Sequence, residues 1–123
     1  MAYFICRQAE AKDNSDFRRV IFTADHIQAL LMSVPAGQEI GEEVHEEHDQ
    51  TFVAVSGEGK MTLGQEEVAL QAGDLVVVPK GVYHNLKSLG PSPLKLYSFC
   101  SPPHHPIDTV HPDKMSALGE REH

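Results

Sequence analysis

The chain is expected to fold as an all-β sandwich or barrel, and three features of the sequence lead there. From residue 17 onward, short apolar runs alternate with turn signals about every eight to twelve residues. No stretch shows the sustained 3.6-residue spacing of a long helix, nor the strand-helix alternation of a parallel sheet. Gly and Pro punctuate the runs at Pro35-Ala36-Gly37, Ser56-Gly57-Glu58-Gly59, Gly64-Gln65, Ala72-Gly73-Asp74 and Pro79-Lys80-Gly81. Each puts glycine where a turn needs positive φ, or proline where φ must lie near about −65°.

Taken in order, strands are expected from Arg18 to Thr23, Ile27 to Val34, Glu42 to Glu46, Thr51 to Ser56, Gly59 to Leu63, Glu67 to Gln71, Leu75 to Pro79, His84 to Lys87 and Leu94 to Phe99. The run Leu75-Val76-Val77-Val78 is apolar at successive positions, which suits a strand enclosed between two layers. After Phe99 the composition changes. In Ser101-Pro102-Pro103-His104-His105-Pro106 the prolines remove ladder donors, so residues 101–123 are expected to leave the core of about 18–100 as an extended tail. Asp113 to Leu118 can close one or two helical turns, with Asp113 as cap and Gly119 as stop.

At 123 residues the chain has the size of one domain. Its formal charge of −8, with the ten Lys and Arg scattered, disfavours a phosphate backbone as partner, so nucleic acid is not expected. No run approaches the roughly 20 apolar residues that span a bilayer, so no membrane partner is expected. The opening residues carry no basic leader and too short an apolar run for a signal peptide, which makes the cytoplasm the expected location. Cys6 and Cys100 are accordingly expected to be reduced. Eight histidines, in contrast, direct attention to metal chemistry.

Gly73 is followed after five residues by Pro79, then by Gly81 and His84, in the order G-DLVVV-P-K-G-VY-H. This spacing resembles the second motif of the cupin superfamily, G(x)5PxG(x)2H(x)3N, with Ser88 at the final position. The first cupin motif, G(x)5HxH(x)3-4E(x)6G, aligns more loosely on Gly57 as its closing glycine. Its glutamate then falls on Gln50, its second histidine on His45 and its first on Glu43.

The resemblance covers roughly Pro35 to Phe99 and implies a double-stranded β-helix, the cupin jelly-roll barrel, with a short irregular C-terminal tail. It further implies one divalent metal ion held by Glu43, His45, Gln50 and His84, a small-molecule ligand inside the barrel, and a homodimer to which the apolar run Ile27 to Met32 contributes. The tail phrase from Ser101 to His111 is similar to that of small cupins grouped with the mannose-6-phosphate isomerase type. Phe52, Ala54, Leu86 and the Ile27 to Met32 run are expected to line or floor the cavity.

A mixed nitrogen and oxygen donor set suits Fe(II), Mn(II), Ni(II) or Zn(II). Strand geometry agrees with the alignment, because Glu43 and His45 stand two apart and share one face. Each residue also has a plainer reading: Glu43 as part of a charged edge with Glu42, Glu46 and Glu47, His45 as a solvated hairpin residue, Gln50 as a hydrogen-bonding residue at the core edge. His48, three residues from His45, shares its face only if a turn begins at Glu46 or Glu47. His26 reads as a surface-loop residue. His104, His105 and His111 either fold over the barrel mouth, where they offer an acid or base, or lie on the surface.

Two functions fit these residues. One is a metal-dependent enzyme, an isomerase or a dioxygenase, acting on a small carbonyl or hydroxylated compound. The other is a non-catalytic module that binds or senses a metal or metabolite, favoured by the replacement of two conventional ligands.

Overall fold

The computed structural model describes residues 4–121, with β-strands dominating. A short helix α1 (Gln8–Asp13) leads into β1 (Arg18–Thr23), β2 (Gln28–Val34), β3 (Asp49–Ser56), β4 (Glu58–Leu63), β5 (Glu66–Gln71), β6 (Leu75–Val78), β7 (His84–Ser88) and β8 (Leu94–Ser101). The two-residue β9 (Val110–His111) and helix α2 (Lys114–Arg121) complete it. Two antiparallel sheets form, one in the order β6-β3-β8-β2-β1-β9 and the other β5-β4-β7. This is the expected double-stranded β-helix.

Alternation decides what faces inward. In β8 every second residue is buried, and Leu94, Leu96, Ser98 and Cys100 all point into the molecule. Phe52, Met61, Leu86, Leu96 and Met32 belong to one continuous core cluster. Residues 28, 50 and 100 share a register row across β2, β8 and β3, so Gln28, Cys100 and Gln50 lie side by side on the inner face. Phe52, Ala54, Leu86 and Met32 thus floor the interior as packed core rather than as the walls of an open chamber. Ile27, at the outset of its run, is 45% exposed, whereas Leu31 is covered by Ala11 of α1.

Three expectations need correction. The run Leu75–Val78 is not enclosed between layers: β6 pairs only with β3 at the sheet edge, and Leu75 and Val77 are 61% and 52% exposed while Val78 is buried. Residues 42–46 form no regular strand either. The chain from 37 to 45 follows β7 and the turn before it through scattered bonds, including Ile40 N–H to Leu86 O and, at the turn, Gly81 N–H to His45 O at 2.9 and 2.7 Å. It is broken at Gly41, which sits at φ 101° and donates its N–H to the Asn85 side-chain oxygen instead of a backbone carbonyl. Helix α2 starts after Asp113 as expected, with Asp113 Oδ1 accepting from the Ser116 N–H at 2.9 Å, but it passes through Gly119 to Arg121. Cys6 and Cys100 are not joined in a disulfide, and no described helix is long and apolar enough to cross a membrane.

The turn before β4 offers a stability prediction. Gly57 has φ 88°, and a Cβ there would lie 2.5 Å from Pro93 O and 2.9 Å from Leu94 Cα. Gly37 has φ 81° with open space around it. Gly57→Ala is therefore expected to cost more than about 2 kcal/mol, because backbone must shift as well as strain, and Gly37→Ala only about 1 kcal/mol. Urea midpoints of the two variants check this, and equal losses would refute the role given to Pro93.

Candidate metal centre

Two chain segments that are distant in sequence meet at Glu43 and His84. The N–H of Glu43 donates to His84 O at 2.8 Å and the N–H of His84 returns to Glu43 O at 2.9 Å, an isolated antiparallel bridge. Residues paired in this way project side chains to the same face. The Pro79-Lys80-Gly81 turn, closed by Val82 N–H to Pro79 O at 3.2 Å, delivers His84 to that point. His45 lies two residues beyond Glu43, where Gly81 N–H holds its carbonyl.

The consequence is convergence. Glu43, His45 and His84 each present a ligand atom, and the three atoms lie within 4.8 Å of one another. Glu43 is 7% exposed and His84 fully buried, whereas Glu42, Glu46 and Glu47 stay on the outside, so the acidic stretch divides between site and rim. Glu43 Oε2 lies 2.9 Å from His45 Nε2. Gln50 reaches the interior from β3, its Nε2 donating to Ser98 Oγ at 3.1 Å while its Oε1 is buried with no hydrogen-bond partner. The structure thus brings Glu43, His45 and His84 into one cluster and gives Gln50 a buried, unused amide oxygen.

These donors fit a divalent ion. His84 Nδ1 lies 3.0 Å from Val82 O, so the proton belongs on Nδ1 and the lone pair on Nε2, which is buried without a partner. Burial pushes the His84 imidazole below its ordinary value, outweighing the Val82 carbonyl and Glu43, which pull it up. A neutral imidazole is the form that ligates a metal. Leaving such an atom buried and unused costs on the order of 1 to 3 kcal/mol, which coordination would remove.

His48 departs from the simplest reading of its spacing. The chain bends at Glu46 and Glu47, so no continuous strand carries His48 to the far face. Its ring instead packs 4.3 Å from His45, it is 4% exposed, and its Nε2 is buried without a partner. Burial, reinforced by His45, His104 and His105 and opposed by Glu43, pushes it down to about 4. The tail does fold over the mouth: the His104 ring lies 4.5 Å from His48 and 5.9 Å from His45. These three, with Val44, Glu46 and Glu47, line a recess of about 240 Å³. His26 is exposed, as a surface-loop residue should be, and His111 lies away in β9, paired with β1.

The sequence reading overlooked Gln28, a fully buried amide inside an apolar strand. Its signal was parity: positions 28, 30 and 32 share the inward face, so a polar residue there must find partners inside.

A cupin domain family model matches residues 30–100. The chain is 37% identical over 117 residues to the uncharacterized protein YrkC of Bacillus subtilis strain 168, covering 90% of this chain and 63% of YrkC, under two thirds of that protein's length. It is 34% identical over 112 residues to the uncharacterized protein L612 of Acanthamoeba polyphaga mimivirus, covering 85% of this chain and 68% of L612. The crystal structure of BH2720 from Bacillus halodurans superposes with a TM-score of 0.93 at 34% identity, over 97% of this chain and 95% of that one.

Proposed function

From the premise that the chain belongs to the cupin domain family, we propose that it is a metal-dependent enzyme acting on a small oxygenated metabolite. Glu43, His45, His84 and Gln50 would hold one divalent Fe, Mn, Ni or Zn ion. The observation that carries this reading is the convergence of three ligand atoms within 4.8 Å around an unpartnered, buried His84 Nε2. The ion would supply Lewis acidity for an isomerase, or redox chemistry with O2 for a dioxygenase.

The protein's own groups divide the remaining tasks. The Val82 carbonyl fixes the tautomer and orientation of His84, and Ser98 fixes the Gln50 amide. Phe52, with its ring 6.2 Å from that of His84, and Leu86 keep water from the floor. His48 and His104 bring two further imidazoles to the mouth, where the exposed ring of His104 would be the one to exchange a proton with a bound molecule. The proline-rich tail from Ser101 supports placing the chain near the mannose-6-phosphate isomerase type, a grouping that leaves the substrate open.

A binding or sensing module is the second reading, and one contact favours it. Glu43 and His45 already satisfy each other at 2.9 Å, an arrangement that can persist without turnover. Metal analysis tests the primary claim: protein purified without immobilised metal is expected to carry about one equivalent of a divalent transition ion. Its absence, together with no uptake of Fe(II), Mn(II), Ni(II) or Zn(II), would sink the proposal. O2 consumption and sugar or diketone turnover by the loaded forms then separate enzyme from sensor.

A further inference from the structure

One buried side chain ties the tail to the barrel. Gln28 is fully buried, and both ends of its carboxamide are engaged. Its Nε2 donates to His105 O at 2.7 Å and to Thr23 Oγ1 at 3.0 Å. Its Oε1 accepts the N–H groups of His104 and His105 at 3.2 and 3.0 Å. Three of these four bonds therefore hold the backbone of the two histidines.

Further along, the strap is secured at Thr109, whose carbonyl accepts the Val20 N–H at 3.0 Å and whose hydroxyl donates to Pro106 O at 2.7 Å. Pro106 between the two anchors, and Pro102 and Pro103 ahead of the first, restrict backbone freedom. The ring of His104 is consequently delivered to the recess that it lines with His45 and His48, 4.5 Å from the ring of His48 and 5.9 Å from that of the candidate ligand His45. An apolar side chain at position 28 could not replace these bonds, since it would leave two N–H donors and a carbonyl of the strap unserved.

We propose that Gln28 is a positioning residue that fixes the strap, and that His104, held by it, contacts the small molecule bound at the metal. The positioning half stands on the hydrogen bonds alone, whereas the contact half rests on the metal reading above. Loss of either residue should then disturb the same site without altering the metal ligands.

The test uses the full chain with Gln28→Leu, His104→Ala and the double variant. In metal-free protein, the imidazole resonances of His45 and His48 are expected to move in Gln28→Leu as they do in His104→Ala, with no further movement in the double variant and β-strand amide resonances unchanged. Ring resonances of Gln28→Leu that superpose on wild type would overturn the positioning role. In Co(II)-loaded protein, read by its visible spectrum, both variants are expected to keep wild-type Co(II) affinity but bind azide about tenfold more weakly, the loss of one hydrogen bond to a charged ligand. Azide affinity within twofold of wild type in His104→Ala, or no azide binding to Co(II) wild type, would overturn the contact role. If wild type takes up no Co(II), the metal reading and the contact role fail together, and the ring resonances still decide the positioning. Should Gln28→Leu not fold, Thr23→Val, which removes one bond to the Gln28 amide, takes its place and is expected to shift the same rings.

Discussion

His84→Ala is expected to lower divalent-metal affinity by more than about 100-fold, since loss of a group that merely orients a ligand already costs about 10- to 100-fold and His84 would be a ligand itself. Of the three converging side chains it is the most deeply buried, and its tautomer is set by Val82. Neither flanking residue takes its place, because the Asn85 side-chain oxygen accepts the Gly41 N–H and Tyr83 is exposed at the surface. Calorimetric titration with Zn(II) against wild type measures the effect, with circular dichroism reporting that the sheets persist. An affinity within tenfold of wild type would show that His84 lies outside the centre.

The second large effect falls on stability. Phe52 is fully buried in the core cluster with Met32, Met61, Leu86 and Leu96, and its ring also lies under His84. Phe52→Ala is expected to destabilise the metal-free protein by about 3 to 5 kcal/mol, through lost transfer energy and the cavity left in a close-packed interior. That is a large fraction of the roughly 5 to 15 kcal/mol that stabilises a typical domain. Urea denaturation should show a lower midpoint with an unchanged slope. A loss under about 1 kcal/mol would mean that the two sheets are less tightly joined at this point than their packing indicates.

The strands could be read from sequence because their causes are local. Val20, Met32, Phe52 and Leu96 alternate with less buried neighbours, and the turns between strands announce themselves through Gly and Pro. His84 was legible for the same reason, since the motif from Gly73 describes a strand, a turn and a strand. What remained hidden depends on long-range pairing. Residues 42–46 look like a strand, yet the partner that shapes them is β7, some forty residues away, and Gly41 breaks the ladder by using the Asn85 side chain. His48 is assigned to the wrong face if the chain is imagined straight through Glu46 and Glu47. Position 28 is apolar by context and polar by identity, and only the fold shows that the strap returns to meet it.

The bridge between Glu43 and His84 separates two kinds of specification. Main-chain bonds, which are indifferent to side-chain identity, draw the coordinate frame that sets these two positions opposite each other. Side chains then choose the donor atoms within it. A carboxylate at 43 can thus stand where an imidazole would, with the frame unmoved, and the chemistry of the centre is free to vary faster than the architecture that holds it.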